Sequence, residues 1–272
     1  MRIALVSLDQ AWQDKNLNKD RSEIFVRKAA NKNCKLIIFP EMTLTAFSMD
    51  NKFINDSAED INKSETMNYF ANLSKEYNIN IIFGATLRDT SADLPQNSMC
   101  ISSPAKGSSK IYSKVHPFSY AKEHKFIKPG NAFGRFKLDN LNFGASICYD
   151  LRFPTFYNLQ NRDCDCFICI ANWPMERIYH WKSLLVARAI ENQVYMIGVN
   201  RVGKDGNNLE YIKSSYIISP AGDILESISI DNEMDIYEIE KDKIKKYRKQ
   251  YPFIKDSKNN LYFELCEIGN SS

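Results

Sequence analysis

Short apolar runs alternate with segments of helical spacing along almost the whole chain, and this alternation is the strongest constraint on its fold. Strands are predicted at residues 2–8, 35–39, 79–87, 97–102, 110–113, 135–138, 142–148, 164–171, 194–199, 213–219, 224–230 and 234–239. Helices are predicted at residues 18–32, 65–77 and 177–192, with a short one after Pro154. Two of the strands form a hairpin across the PAKG turn at residues 104–107. The pattern therefore predicts an α/β layered fold with mixed sheets.

No linker or shift in composition divides the 272 residues, so we predict one domain over residues 1–272. The last part of the chain, residues 251–272, contains Tyr251, Phe253, Tyr262 and Phe263. This segment is too apolar to extend freely into water. We expect it to pack on the domain or on a partner subunit.

The net charge argues against a nucleic-acid partner, and the short apolar runs argue against a membrane partner. The net charge is +3, which gives little of the basic field that a nucleic-acid binder needs. The basic run KDKIKKYRK at residues 241–249 is predicted to be the solvated face of a short helix. The apolar run at residues 3–8 is too short for a signal-peptide core or a membrane span. We expect a cytoplasmic protein.

The chain contains seven cysteines, an odd number that favours reduced thiols over a disulfide framework. Cys164, Cys166 and Cys169 lie in one strand-like run and are interpreted as core thiols. Alternation along a strand places Cys166 and Cys169 on opposite faces, and no histidine or second cysteine pair completes a ligand set. No metal site is predicted.

Three reactive residues stand where predicted strands end. Glu41 follows an apolar strand, a setting that suits a general base. Cys148 ends a strand just before a helix start, where backbone N–H groups would favour the thiolate. Lys114 follows the hairpin and could stabilise negative charge on a substrate oxygen.

Each of these residues also has a purely structural interpretation when it is considered alone. Glu41 could cap a turn, Cys148 could be a buried core thiol and Lys114 could be a surface lysine. His116 and His124 lie close to Lys114 in the sequence. A Cys–His pair is discounted because neither histidine has a partner acid at a telling spacing.

Taken together, three motifs resemble those of the carbon–nitrogen hydrolase (nitrilase) superfamily. They are FPE at residues 39–41, KVHPF at residues 114–118 and CYDLRFP at residues 148–154. They occur in that family's order and at about its spacing, and the similarity extends from residue 2 to about residue 239.

The resemblance implies an αββα sandwich and a homodimer or higher homo-oligomer. It implies that Cys148 is the nucleophile, Glu41 the base and Lys114 the oxyanion partner, with the backbone N–H of Tyr149. It also implies a second acid, Glu123, that holds Lys114 and the substrate amide in position. No metal or organic cofactor is expected, and the chain has no glycine-rich phosphate loop.

Segments after the cysteine resemble the bacterial omega-amidase branch, whose substrates are small amides such as 2-oxoglutaramate and succinamate. These segments are ANWP at residues 171–174, HW at residues 180–181, ARAIENQ at residues 187–193 and NRVGKDG at residues 200–206. Deaminated-glutathione amidases share many of them. Other amides, N-carbamoyl compounds, nitriles and a non-catalytic binding scaffold remain alternatives.

A dicarboxylic monoamide carries a carboxylate that needs a cationic anchor. Arg177 is the predicted anchor, because a guanidinium suits bidentate carboxylate binding. Its rival Arg152 is predicted instead to pair with Asp150 or another buried acid. The remaining predicted pocket residues are Phe118, Tyr149, Asn172 and Trp173.

Overall fold

The computed structural model describes residues 1–89 and 94–258, together with residues 261 and 264. The strands are β1 (Arg2–Val6), β2 (Leu36–Ile38), β3 (Glu59–Asp60), β4 (Asn80–Arg88), β5 (Gln96–Ser103), β6 (Gly107–Ser113), β7 (Gly134–Leu138), β8 (Leu141–Ile147), β9 (Cys166–Ala171), β10 (Tyr195–Asn200), β11 (Gly203–Lys204), β12 (Glu210–Tyr211), β13 (Tyr216–Ile218), β14 (Ser229–Ile230) and β15 (Met234–Glu238). The α-helices are α1 (Lys15–Asn31), α2 (Asn51–Ser57), α3 (Glu65–Tyr77), α4 (Pro154–Asn158), α5 (Ile178–Asn192), α6 (Lys241–Gln250) and α7 (Phe253–Asp256). Short 3-10 helices occupy Ser119–Ala121, Glu123–Lys125, Cys148–Arg152 and Met175–Arg177.

Two mixed sheets contain most of these strands. Within the described residues, the first sheet has the order β14-β15-β1-β2-β4-β5-β6, with β3 paired to β4, and the second has the order β13-β10-β9-β8-β7. The central strands β1, β2 and β4 run parallel, as do β8, β9 and β10. Most outer strands pair antiparallel, through hairpins in several cases, whereas the short β3 runs parallel to β4. The prediction of mixed sheets is confirmed.

The sheets stack face to face and carry helices on their outer sides. Alternate residues of β1 belong to different layers, because successive side chains of a strand point to opposite faces. Ile3 packs in the core between the sheets, whereas Ala4 packs under the helices with Phe25 of α1 and Phe70 of α3. On the second sheet, Gly198 lets α5 approach β10 closely. A Cβ there would lie 2.4 Å from a methyl carbon of Leu185. The arrangement is the expected αββα sandwich.

Most predicted elements are present, but the C-terminal strands are shorter than predicted. The predicted strand at residues 224–230 is reduced to β14 and an isolated bridge between Ile218 and Ile224. Ile224 and Ile228 are exposed, so they have no apolar layer to pack against. The short helix α2 was not predicted. It begins at an Asp50 N-cap whose side chain accepts from the Phe53 N–H. The basic run forms α6, with Ile244 buried.

The residue that opens the C-terminal segment contacts the domain. Gln193 donates its side-chain N–H to the carbonyl of Tyr251 at 2.6 Å. Tyr262 and Phe263 lie outside the described residues. In the described part of the chain, no helix has the length and apolar character needed to cross a membrane.

The strand directions bring the C-terminal ends of four strands to the same end of the sandwich. In the first sheet β2, β4 and β6 share one direction, since β6 reaches β4 through two antiparallel pairings. In the second sheet β8 and β9 end side by side. The residues that follow β2, β6, β8 and β9 therefore converge where the two sheets meet.

Candidate active site

Glu41 lies in a tight turn after β2 that neighbouring residues hold in place. The side-chain amide of Gln10 donates to the carbonyls of Glu41, Met42 and Thr43 at 3.0, 2.9 and 3.1 Å. On the β4 side, a Cβ at Gly84 would lie 2.3 Å from the Met42 nitrogen, so only glycine allows this approach. The turn places the Glu41 side chain fully inside the protein.

Both carboxylate oxygens of Glu41 accept hydrogen bonds. Oε1 accepts from the Asn97 side chain at 2.7 Å and from Lys114 Nζ at 3.0 Å. Oε2 accepts from the backbone N–H of Asn172 at 2.9 Å. The first sheet contributes Asn97 and Lys114, and the second contributes Asn172. The carboxylate is therefore oriented by both sheets.

Lys114 is fully buried between two carboxylates. Its Nζ lies 3.0 Å from Glu41 Oε1 and 2.9 Å from Glu123 Oε2. Burial works against the charged amine, but the charges of Glu123 and Glu41 outweigh it and raise the pKa of Lys114 well above its usual value. Lys114 is therefore a permanent cation at neutral pH, as oxyanion stabilisation requires.

Glu123 completes the cluster from the 3-10 helix Glu123–Lys125. Its Oε2 accepts from the Phe118 N–H at 2.6 Å, and its Oε1 accepts from the Asn97 side chain at 3.0 Å. Burial raises the pKa of Glu123, with Lys114 opposing and the Glu41 charge adding to the rise. Two buried carboxylates and one ammonium leave the cluster one negative charge in excess when all are ionised. This excess favours proton uptake by the cluster.

Cys148 follows β8 and opens a 3-10 helix with a strained backbone. Its φ is 47°, in the left-handed region that residues other than glycine rarely adopt. Desolvation by burial raises the pKa of the Cys148 thiol well above its usual value. The charge of Glu41 adds to this rise, and the charge of Lys114 opposes it. The expectation that the helix start favours a resting thiolate is wrong. Desolvation and the charge of Glu41 both favour the neutral thiol over the thiolate.

Asp150 has partners that sequence reasoning did not identify. Its carboxylate accepts from the hydroxyl of Tyr112 at 2.7 Å and from the ring nitrogen Nδ1 of His116 at 2.8 Å. His116 therefore does have a partner acid, contrary to the sequence argument. Arg152 does not pair with Asp150. It lies over the Trp173 ring, 4.9 Å from its centroid, because the buried Asp150 is already occupied by other donors.

A cavity of about 790 Å³ opens next to Cys148. The predicted pocket residues all line it, namely Phe118, Tyr149, Asn172, Trp173 and Arg177. A further part of the wall comes from Trp12 and from the β11–β12 hairpin, which sequence reasoning did not identify as part of the pocket. Glu41, Lys114 and Glu123 are fully buried, so Cys148 is the member of the cluster that faces the cavity.

Two guanidinium groups supply positive charge to this cavity. Arg177 lies 6.0 Å from the Phe118 ring centroid and 3.7 Å from the exposed carboxylate of Glu176. Arg152 contacts His180 at 3.3 Å in addition to Trp173. Both arginines can therefore meet an anionic ligand, and Arg177 is tied only loosely to a protein acid.

Asn97 is the member of the site that sequence reasoning missed most clearly. It bridges the carboxylates of Glu41 and Glu123, although it lies within the strand β5. The available signal was an asparagine in a predicted strand, where that residue is disfavoured.

The cysteines other than Cys148 that the structure describes are buried. Over the described residues, no group of three or more His, Cys, Asp or Glu side chains has the arrangement of a metal site.

Known proteins resemble this chain over nearly its whole length. Residues 2–249 match the family described as carbon-nitrogen hydrolase. The chain is 30% identical to omega-amidase YafV of Escherichia coli (strain K12), over 94% of this chain and 96% of that protein. It is 28% identical to the 2-oxoglutaramate amidase of Bacillus subtilis (strain 168), over 96% and 98%.

A solved structure has the same fold. A CN-hydrolase superfamily protein from Xanthomonas campestris, with an arsenic adduct in its active site, superposes with a TM-score of 0.86. It is 29% identical to this chain, and the match covers 94% of this chain and 97% of that one.

Proposed function

Because this chain belongs to the carbon–nitrogen hydrolase family, we propose that it hydrolyses the terminal amide of a small dicarboxylic acid monoamide, such as 2-oxoglutaramate or succinamate. The products are the acid and ammonia. The observation that carries this proposal is the buried cluster of Glu41, Lys114 and Glu123 beside Cys148, in a cavity that also contains Arg177.

Acylation begins from the neutral thiol. Glu41 takes the Sγ proton of Cys148 while the sulfur forms a bond to the amide carbon, and the carbonyl electron pair moves to the oxygen. Lys114 and the backbone N–H of Tyr149 stabilise this oxyanion. Tyr149 is the second residue of its 3-10 helix, so its N–H has no acceptor within that helix. Collapse of the intermediate breaks the C–N bond, and Glu41 returns the proton to the leaving ammonia.

Deacylation repeats these steps with water. Glu41 removes a proton from water as its oxygen attacks the thioester carbon, and the same oxyanion site holds the second intermediate. Collapse then breaks the C–S bond, and the sulfur recovers its proton from Glu41. The sum is one amide and one water converted to one acid and one ammonia, with the enzyme unchanged.

The raised pKa of Cys148 is consistent with this order of events. A thiol that stays neutral at rest needs a base at the moment of attack, and Glu41 is the ionisable group whose charge most raises that pKa. Three hydrogen bonds to its oxygens hold the Glu41 carboxylate in one orientation. Its proton transfers therefore require little reorganisation.

The choice of substrate is supported by the cavity and by the relatives. The arginine side chains suit a substrate with a carboxylate remote from the amide. The relatives named omega-amidase and 2-oxoglutaramate amidase cover nearly the whole chain. The cavity volume of about 790 Å³ lies in the range that holds drug-sized ligands. For this reason deaminated glutathione, a larger amide, is the second candidate.

Ammonia release tests the proposal directly. The wild type and Cys148→Ala would be assayed with 2-oxoglutaramate, succinamate, deaminated glutathione and an aliphatic nitrile. Turnover of the first two, lost in Cys148→Ala, is the expected result. Turnover of deaminated glutathione alone would keep the mechanism and change the substrate. No ammonia from any of the four would reject the proposed substrates.

A further inference from the structure

Lys114 and Cys148 come from different sheets, and their relative position must be maintained across the interface between them. Lys114 follows β6 of the first sheet, and Cys148 follows β8 of the second. We propose that Asp150 and Tyr112 are positioning residues that fix Lys114 relative to Cys148, through a hydrogen-bonded link between the two backbone segments. The proposal rests on the proposed function, in which these two side chains act on the same substrate carbonyl.

On the nucleophile side, Asp150 stabilises the turn that contains Cys148, the residue with the strained backbone. It lies two positions after Cys148, and its Oδ2 accepts from the backbone N–H of Ile147, one position before Cys148, at 2.9 Å. The carboxylate therefore spans the turn in which Cys148 adopts its positive φ. This contact helps to maintain a backbone conformation that is locally unfavourable.

On the lysine side, the same carboxylate holds residues that flank Lys114. Tyr112, two positions before it, donates its hydroxyl to Asp150 Oδ2 at 2.7 Å. His116, two positions after it, donates its backbone N–H to Asp150 Oδ1 at 3.1 Å and contacts the same oxygen through Nδ1 at 2.8 Å. The Tyr112 hydroxyl also accepts from the Val115 N–H at 3.0 Å. The backbone on both sides of Lys114 is thus tied to one acid.

The hydrogen-bonded link through Asp150 is rigid. Asp150 is fully buried, and its two oxygens receive four donors, so its rotation would leave at least one buried donor unpaired. Burial and the Asp150 charge raise the pKa of Tyr112 well above its usual value, so the hydroxyl keeps its proton and remains a donor.

Tyr112→Phe is the most informative variant, because it removes one hydroxyl and changes no charge. Tyr157→Phe is the matched control. Tyr157 of α4 is also buried, and its hydroxyl donates at 2.8 Å to Ser146 Oγ of β8 instead of to Asp150. Tyr112→Phe loses the bonds to Asp150 and Val115, and Tyr157→Phe loses the bond to Ser146, so a general loss of stability affects both variants.

The first readout is the separation of kcat from KM. In Tyr112→Phe we expect kcat to fall about tenfold while KM stays within about twofold, because substrate still binds but the oxyanion partner is misplaced. Tyr157→Phe should keep both constants near the wild-type values. Wild-type kcat in Tyr112→Phe, or an equal loss in Tyr157→Phe, would overturn the proposal.

The second readout needs no substrate. The pH dependence of Cys148 alkylation by iodoacetamide, followed by mass spectrometry of its peptide, reports how strongly Lys114 stabilises the thiolate. Displacement of Lys114 should shift the midpoint to higher pH in Tyr112→Phe and leave it unchanged in Tyr157→Phe. An unchanged midpoint in Tyr112→Phe would contradict the link. If the wild type released no ammonia from any amide but this shift appeared, the proposed function would fail while the positioning role stood.

Discussion

Asn172 of the second sheet holds Glu41 of the first sheet through two hydrogen bonds. Its backbone N–H donates to Glu41 Oε2 at 2.9 Å, and its side-chain amide donates to the Glu41 carbonyl at 2.8 Å. The two residues are 131 positions apart in the chain. The proposed base is therefore oriented by a strand end that faces it across the sandwich, and the site forms only when the sheets are stacked.

Replacement of Glu41 by glutamine should stop turnover without unfolding the protein. The amide cannot accept the Cys148 proton, so we expect kcat to fall by about 10³-fold or more in steady-state ammonia assays. Glu59→Gln is the control. Glu59 is another acid held by several donors, including Thr66, and it should affect thermal stability only. Glu41→Gln activity within tenfold of the wild type would exclude Glu41 as the base.

Asn97→Ser should weaken catalysis through both carboxylates. The variant removes donors to Glu41 Oε1 and Glu123 Oε1, and a hydrogen bond to a charged group contributes about 1.5–3 kcal/mol. We expect kcat to fall about 10- to 100-fold. Asn80→Ser, which removes an exposed contact to the Lys35 carbonyl, is the control and should change nothing measurable. Full activity in Asn97→Ser would show that the bridge has no catalytic role.

Lys114→Met should make folding stability depend on pH. Without the ammonium, Glu41 and Glu123 are buried acids with no counter-charge. This change lowers the free energy of unfolding by about 3–5 kcal/mol. The pKa of Glu123, already raised by burial, rises further without the opposing charge. A carboxyl whose folded-state pKa is raised is stabilising at low pH, and this stability is lost as pH rises through that value.

Thermal unfolding between pH 5 and pH 8 measures this effect. The Tm of Lys114→Met should fall more steeply with pH than that of the wild type. Lys110→Met is the control. It removes a partly exposed ion pair with Asp89, at 2.8 Å, and should lower the free energy of unfolding by less than about 1 kcal/mol. Parallel Tm curves for Lys114→Met and the wild type would contradict the assigned charges.

Arg177→Gln should raise KM for substrates that carry a carboxylate. We expect about a 10- to 100-fold increase for succinamate and no change for butyramide, which lacks the negative charge. Arg152→Gln, measured in parallel, distinguishes the two cationic groups of the cavity. A larger increase for Arg152→Gln would identify Arg152 as the anchor.

Gly206→Ala should alter the cavity wall without disturbing the nucleophile. A Cβ at Gly206 would lie 2.3 Å from Trp12 Nε1, so the indole or the hairpin must move. We expect KM to rise severalfold and the rate of Cys148 alkylation to stay constant. Gly107→Ala is the control, since its Cβ meets nothing within 4 Å although its φ of 70° makes the substitution strained. It should lower stability and leave KM unchanged.

The sequence by itself determined the layered architecture and singled out the candidate reactive side chains. Strand and helix periods predicted a layered α/β fold with mixed sheets, because alternation and helical spacing are local properties of a chain. The αββα sandwich was implied by the resemblance to the carbon–nitrogen hydrolases. The strand-end positions of Glu41, Lys114 and Cys148 followed from the same local patterns, and the three motifs pointed to the family. The shortened C-terminal strands escaped prediction because Ile224 and Ile228 have apolar side chains but no layer to cover them.

Only the tertiary structure decided how these residues are held and charged. Asn97, Gln10 and Asp150 became parts of the site through contacts with residues dozens of positions away. The raised pKa of Cys148 depends on burial and on the nearby charge of Glu41, which no local pattern reports. Hydrogen-bond partners and pKa values arise from distances in space, and stacking two sheets sets distances that the order of residues along a strand does not contain.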